Sequence, residues 1–317
     1  MTLDCVRHLL ATQSIVERDV IVIDNGSTPA NLNILRNSLP SEIVFFSNAR
    51  NLGFAGGMNV GMRYALHAGA DYIWLLNNDA FPEKHCLAGL IHSLQADDSL
   101  AAVSPRLVFP DGSDQVVGAE LNDYGSHLKM LYHYDMTSGN RVIVKGTAIV
   151  VRSTVLRAVG GFDQRFFAYR EDDDLCMRVS SAGLGRFGVN GAFQCIHIDG
   201  ATSGGAFSPF TAYLLARNGY LLAYNHLTPR RAVGAAIALT VEVFDWAIGL
   251  RNSHPATASA LLAGSLAGLM HRFGRPPKGP FDAWWLRRLV FWKPWRLMPI
   301  LRTCAARVAT GYKVPPE

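Results

Sequence analysis

The chain has 317 residues, 49% hydrophobic and 17% charged, which excludes a disordered polypeptide and leaves room for one large α/β domain with an appendage. Its five cysteines (Cys5, Cys86, Cys176, Cys195 and Cys304) are scattered, odd in number and without a CxxC pair, so a disulfide framework or zinc site is not expected and a reducing compartment suits the chain. The net charge of +5 is uneven: from Arg251 onward eleven Lys/Arg stand against two Asp/Glu, a local +9 that leaves −4 on the first 250 residues.

Residues 2–12 read as a helix with Leu3, Val6, Leu9 and Leu10 on one face, and residues 1–13 lack the basic segment and apolar core of a signal peptide. Asp19 to Asp24 (DVIVID) is an apolar run of the kind found in buried parallel strands. Asn25 to Pro29 is a turn. A helix over 30–38 and a strand over 42–46 follow. Asn51 to Gly57 (NLGFAGG) reads as a glycine-rich loop feeding a helix over 58–68, and Asp71 to Leu76 as a third buried strand ending in Asn77-Asn78-Asp79. This alternation predicts an α/β fold with a doubly wound parallel sheet. Residues 107–141 read as a polar, strand-poor excursion over the active face. A strand over 141–152, a helix over 153–159, a helix over 175–182 opened by four acids, and strands over 185–189 and 193–198 complete the domain. Beyond Pro209 the chain reads as helical to about residue 309. Ala232 to Leu250 is apolar except for Glu242 and Asp245 near its middle, carboxylates costly in hydrocarbon. Residues 255–270 are short for a span, so both segments are expected to pack or lie on a surface.

Ligands of open α/β sheets bind beyond the carboxyl ends of the strands, where Asp24 and Asp79 stand. Asp24 suits hydrogen bonds from a base or ribose, and equally the cap of its own turn. The glycine-rich segment opens a helix, a place that favours phosphate, or is a tight connection. Asp79, at the tip of an apolar strand, suits a divalent cation, since Mg²⁺ and Mn²⁺ take oxygen ligands from one or two carboxylates and substrate phosphates. Glu171-Asp172-Asp173-Asp174 is the strongest local signal. Capping of the following helix accounts for one or two of these acids. The others require a cation, a ligand or solvent, and the aromatic residues Phe166, Phe167 and Tyr169 beside them favour a raised carboxylate pKa suited to a base. His197 is structural unless the fold brings it to Asp79.

Taken together, VIVIDNGST (20–28), NLGFAGGMNVG (51–61), YIWLLNNDA (72–80), KGTAIV (145–150), GGFDQRFF (160–167), YREDDDLCMR (169–178), His197 and LARN (215–218) resemble the family 2 glycosyltransferases of the GT-A fold, most of all their rhamnosyltransferase-like branch. The resemblance covers roughly residues 3–225. It implies a GT-A doubly wound, mostly parallel, Rossmann-like sheet with a C-terminal helical extension. The catalytic domain would occupy 1–225 and a basic, Trp-rich helical region 226–317. It implies Asp172 as catalytic base with Glu171 beside it, donor contacts at Asp24, Asn51, Gly57 and Asn78, and a Mg²⁺ or Mn²⁺ site at Asp79 completed by His197. Asn77 stands where the first acid of the DxD motif would be, so one carboxylate holds the metal and the ion is expected to arrive with the nucleotide. The activity implied is inverting transfer of a sugar, with rhamnose suggested by the branch, from a nucleotide-diphosphate sugar to a glycan or lipid-linked acceptor.

The basic C-terminal stretch also carries Trp284, Trp285, Trp292 and Trp295. Basic residues mixed with tryptophan suit an anionic membrane surface better than nucleic acid, so the protein is expected to be cytoplasmic and peripheral on the inner face of the membrane. A solvated basic tail is the plainer reading. Two other functions compete: a sugar-phosphate nucleotidyltransferase, which would carry a Gly-rich, Arg/Lys-bearing loop after its first strand, and an inactive relative acting as a binding partner in glycan assembly. A doubly wound sheet normally opens with a buried strand, whereas this sequence opens with a helix, and its first strand resembles the family's second. The natural start is therefore expected upstream by about 10–15 residues, the alternative being a real truncation. An in-frame apolar strand encoded before Met1 would support this, and a stop codon directly before Met1 would refute it.

Overall fold

The computed structural model describes residues 1–121, 127–132, 142–198 and 208–277. The chain divides into two compact units, residues 1–121 with 127–201 and residues 122–126 with 202–317.

In the first unit, α1 (Thr2–Thr12), β1 (Ile21–Asp24), α2 (Pro29–Ser38) and β2 (Val44–Ser47) follow the expected order. β1 and β2 pair in parallel, Ile21 opposite Val44 and Asp24 opposite Ser47. The glycine-rich segment is not a loop: α3 runs from Gly53 to His67, so Gly56 and Gly57 lie in its first two turns. Helix formation there follows from the Asn51 carbonyl Oδ1, which accepts from Gly53 N–H at 2.7 Å, and from the positive φ of 78° that glycine permits at position 53.

β3 (Tyr72–Leu76), β4 (Ala80–Pro82), β5 (Leu100–Val108), β9 (Ala148–Arg152) and β10 (Arg186–His197) form a five-stranded sheet in the order β3-β9-β5-β10-β4, with α4 (Cys86–Ala96) between β4 and β5. β5 and β10 pair in parallel, while β9 runs antiparallel to both β3 and β5 and β4 antiparallel to β10. Three of the five strands, β3, β5 and β10, therefore point the same way, and the reversed β9 is threaded between two of them. Among the described residues no ladder joins β1 to β3.

The middle of the chain is richer in strands than its polarity implied. β6 (Gly118–Leu121), β7 (His127–Leu131) and β8 (Val142–Val144) make a three-stranded antiparallel sheet. Gly118 lets two backbones touch, since a Cβ there would lie 2.1 Å from the Ile143 oxygen. The single strand expected over 141–152 is broken into β8 and β9 by a turn at residues 145–147. The two strands expected over 185–198 are one, β10, carrying a register irregularity between Asn190 and Gln194. α5 (Ser153–Val159) lies where expected. α6 (Glu171–Ser181) starts four residues earlier than expected, so that all four acids occupy its first turn. That position is favoured because anionic side chains complement the helix N-terminal dipole.

The described part of the second unit is helical: α7 (Pro209–His226), α8 (Pro229–Leu250) and α9 (Pro255–Leu269). α9 approaches α7 backbone to backbone at Gly264, where a Cβ would stand 2.2 Å from the Tyr213 oxygen. The Tyr220 hydroxyl bonds Thr240 Oγ1 at 2.9 Å and Ser265 Oγ at 2.5 Å, joining all three helices. Among the described residues α8 is the one helix long and apolar enough to cross a membrane by length and composition, a test that a core helix also passes. The four tryptophans from 284 onward lie outside the described residues.

Two glycine substitutions are expected to act in opposite directions. Gly264→Val overpacks the α7–α9 contact, a change that typically costs about 1–3 kcal/mol. Gly249→Ala meets nothing within 4 Å and should stabilise α8 by about 0.4–1 kcal/mol. Thermal unfolding of the two variants tests both signs.

Candidate active site

Strand register assembles the site. β10 sets His197 opposite Ala80 of β4, which carries the histidine to the tip of β3. His197 Nε2 stands 3.4 Å from Asp79 Oδ1 and 3.5 Å from Asn77 Nδ2, with both acid and histidine buried (5% and 7% exposed). Ile198 N–H donates to the Asp79 carbonyl at 3.1 Å. The sequence condition on His197, proximity to Asp79, is met.

Gln115 orients the histidine ring. Its amide nitrogen donates to the His197 carbonyl at 2.6 Å, which leaves its oxygen to face His197 Nδ1 at 3.0 Å. An oxygen there accepts, so Nδ1 donates, and Nε2 is turned toward Asp79 Oδ1 and Asn77 Nδ2. A histidine whose other ring nitrogen donates to an oxygen has the usual posture of a metal ligand. Asn77 Oδ1 is buried without a hydrogen-bond partner and supplies a further oxygen beside them. The chemistry of these groups fits a divalent cation, which Asp79 and His197 would hold. No cluster of three or more His, Cys, Asp or Glu side chains suited to a metal occurs among the described residues, so substrate oxygens would have to complete the shell.

The carboxylate side of the site is one residue away. β3 pairs Leu76 with Ala148 of β9, and the ladder extends one step as Asn77 N–H donates to the Thr147 carbonyl at 2.9 Å. The preceding residue, Gly146, donates its N–H to Asp172 Oδ2 at 3.0 Å. The turn at 145–147 thus holds the Asn77–Asp79 group on one residue and Asp172 on the next, whose Cα atoms are about 3.8 Å apart by covalent geometry.

The four acids of α6 diverge. Asp174 takes Arg178 Nε at 2.7 Å, and Asp173 lies 3.6 Å from Arg170 Nη1. Asp172 is half-buried, and its other oxygen accepts from Asp173 N–H at 3.0 Å. Burial, then the charge of Asp173, pushes its carboxyl above the ordinary range, against the opposing pull of the Gly146 N–H. Glu171 is 6% exposed and its Oε2 has no hydrogen-bond partner. Burial, then the charge of Asp172, pushes it well above the ordinary glutamate range.

A third group surrounds Asp24, which is buried at the end of β1. It accepts from Ser47 Oγ at 3.1 Å and Ser27 N–H at 3.4 Å, so the turn-capping role is realised. Asn25, which the sequence reading passed over, organises the loop: it accepts from Leu52 N–H and donates to the Gly53 carbonyl and to Asn51 Oδ1. Gly57 packs on it, a Cβ at position 57 falling 3.0 Å from Asn25 Nδ2. Asn51 and Gly57 are therefore neighbours of one asparagine. Asn78 is exposed and donates to Thr2 Oγ1 at 2.9 Å, on the α1 side of the Asn77–Asp79 turn. Gln115 carried no signal in the sequence, and Gly146 stood only within the matching segment KGTAIV with no role assigned, because their importance arises from strand pairing.

The family model for glycosyl transferase family 2 matches residues 1–160, half of the chain. The chain belongs to glycosyl transferase family 2. Its similarity to the galactofuranosyltransferase GlfT1 of Mycolicibacterium smegmatis is 30% identity over 195 residues, 56% of this chain and 63% of that protein. The matched region thus spans about six-tenths of that relative's length. The low-salt glycan biosynthesis hexosyltransferase Agl10 of Haloferax volcanii is 20% identical over 269 residues, 82% of this chain and 85% of that protein. A solved mannosyltransferase from Pyrobaculum calidifontis, in complex with GDP-Man and Mn²⁺, aligns with a TM-score of 0.49 at 17% identity, covering 98% of this chain and 81% of that one.

For this family 2 chain the buried Glu171 gives a signed prediction. A carboxyl raised in the folded state favours folding most where both states are protonated, and loses that advantage as pH rises through the ordinary glutamate range to the raised native value. Glu171→Gln removes the buried charge, so its melting temperature should exceed that of the parent at pH 8 and converge with it near pH 4. An equal gain at both pH values would show that burial of the charge is not the cause.

Proposed function

We propose that the protein is an inverting, metal-dependent glycosyltransferase that moves a sugar from a nucleotide-diphosphate donor to a hydroxyl of a glycan or lipid-linked acceptor. The observation that carries this reading is the junction at Gly146–Thr147, where consecutive residues bind Asp172, a half-buried carboxylate with a raised pKa, and the backbone of Asn77, which precedes the Asp79–His197 pair. Asp172 accepts the acceptor hydroxyl proton as that oxygen bonds the anomeric carbon, and the bond from that carbon to the diphosphate breaks on the opposite face. The configuration inverts, and nucleoside diphosphate and glycoside leave. Bound at Asp79 and His197, with Asn77 Oδ1 beside them, Mn²⁺ or Mg²⁺ supplies neutralisation for the diphosphate leaving group. Asp24 and the loop ordered by Asn25, with Asn51 and Gly57, face the nucleoside, and Asn78 borders the same end of β3. Glu171, pushed well above the ordinary glutamate range by burial and then by the charge of Asp172, precedes the base in the first turn of α6.

The sugar is a hexose or deoxyhexose. Rhamnose follows from the motif resemblance and galactofuranose from the relatives, so UDP-galactofuranose, UDP-glucose, GDP-mannose and dTDP-rhamnose form the test panel. With Mn²⁺ or Mg²⁺, one of these should raise the melting temperature, because a ligand that binds only the native state stabilises it. Asp172→Asn should lower turnover by about 10²- to 10⁴-fold with donor binding retained, and near-native turnover would remove Asp172 as the base. Asp79→Ala should weaken Mn²⁺-dependent donor binding in calorimetry, and unchanged affinity would remove it from the metal site.

The residues from 251 onward, with their local net charge of +9, hold the protein on an anionic membrane, each basic residue near the surface contributing about 1 kcal/mol. Liposome sedimentation should show binding that falls with salt, and equal binding to neutral and anionic vesicles would overturn the electrostatic part.

A further inference from the structure

The segment between α5 and α6, residues 160–170, is hydrogen-bonded to α3, leads into the acidic helix and is held in an unfavourable backbone shape. Phe167 has φ 67° and ψ −62°, and Ala168 N–H bonds the Phe166 carbonyl at 2.9 Å, a γ-turn of the rare positive-φ kind. Tyr169 and Arg170 follow, both at φ 68°. Three non-glycine residues in the left-handed region within four positions persist only where the surroundings over-determine them.

α3 supplies much of that restraint. Asn59 is buried, and its side-chain amide makes both hydrogen bonds of a single residue of the segment: Nδ2 donates to the Phe162 carbonyl at 2.7 Å and Oδ1 accepts Phe162 N–H at 2.8 Å. This pair of bonds also settles which amide atom is oxygen. Gly161 makes room for it, since a Cβ there would fall 2.3 Å from Asn59 Oδ1. One turn earlier on α3, Ala55 N–H donates to the Phe167 carbonyl at 3.1 Å, and the Phe54 and Phe162 rings lie 5.9 Å apart. From the other side Arg178 of α6 donates to the Val159 and Gly161 carbonyls at 2.7 and 2.8 Å. Glu171 and Asp172 begin immediately after the strained residues.

We infer that Asn59 is a positioning residue for Asp172: by fixing Phe162 it keeps the 160–170 segment in its strained shape, and that shape sets the first turn of α6 so that Asp172 meets Gly146. Without the amide, two buried backbone groups at Phe162 lose their partners and must move to find others. The strain at 167–170 then has a path to relax, and the first turn of α6 moves with it. The effect falls first on the carboxylate, because both side-chain bonds of Asn59 go to Phe162, whereas Asn25, Asn51 and Gly53 are held by bonds to one another. This inference rests on the reading of Asp172 as base, but its geometric part does not.

The test uses the full chain carrying Asn59→Ala, or Asn59→Asp, which keeps the acceptor for Phe162 N–H, should the alanine variant not fold. Hydrogen exchange in the ligand-free protein should accelerate about tenfold or more at the Gly146 amide, beyond any change at Val150 in the middle of β9. On whichever donor of the panel is turned over, kcat should fall about tenfold or more while the affinity for UDP or dTDP with Mn²⁺ stays within twofold. A lower melting temperature with Gly146 exchange changed no more than Val150 would overturn the inference and leave Asn59 a fold-supporting residue. So would accelerated exchange with kcat within twofold. If Asp172→Asn retains turnover while Asn59→Ala accelerates exchange at Gly146, the assignment of the base fails and the positioning link stands.

Discussion

The turn at residues 145–147 is the constraint on which the rest of the site depends. Two of its backbone groups are used, one N–H and one carbonyl: Gly146 holds Asp172, and Thr147 holds Asn77. Their association rests on the antiparallel pairing of β9 with β3, which sets Leu76 against Ala148 and leaves the next residues to meet. A strand running against its neighbours is thus not an irregularity of this sheet. It turns the entrance of β9, rather than its exit, toward the ends of β3 and β10, where Asn77, Asp79 and His197 lie.

Much of this was legible in the sequence, and the reasons are physical. α1 and α5 were read to the residue because short amphipathic helices announce both periodicity and ends. β1 and β3 were legible because a strand covered on both faces leaves a continuous apolar run. The acids at 171–174 and the tip at Asp79 stood out because charge beside apolar sequence needs an explanation. What escaped was pairing. The break between β8 and β9, the fusion of two expected strands into β10, and the sheet formed by β6, β7 and β8 all depend on partners distant in sequence. Gln115 is an ordinary residue, and Gly146 an unassigned member of a matching segment, until the fold brings them to His197 and Asp172. The glycine-rich segment misled for another reason: Asn51 and Asn25 satisfy its first backbone groups, so a stretch with poor helix propensity still starts a helix.

Composition and register together explain the electrostatics. A site with one carboxylate, one imidazole and one amide near β3 carries less negative charge than a pair of acids would. The negative charge instead gathers on the first turn of α6, where the helix dipole offsets part of the repulsion and Arg170 and Arg178 offset more.

The divergence of those four acids has a practical corollary. Successive residues of a helix point about 100° apart, so adjacent identical side chains inhabit unrelated environments. Asp174 is bound into an arginine clamp that also grips the chain at Val159 and Gly161. Asp173 balances a strained arginine. Asp172 faces a turn, and Glu171 is sealed in without a partner for one oxygen. A run that reads as four repeats of one letter class is four separate parts, and a single-site scan across it would return four phenotypes of different physical origin.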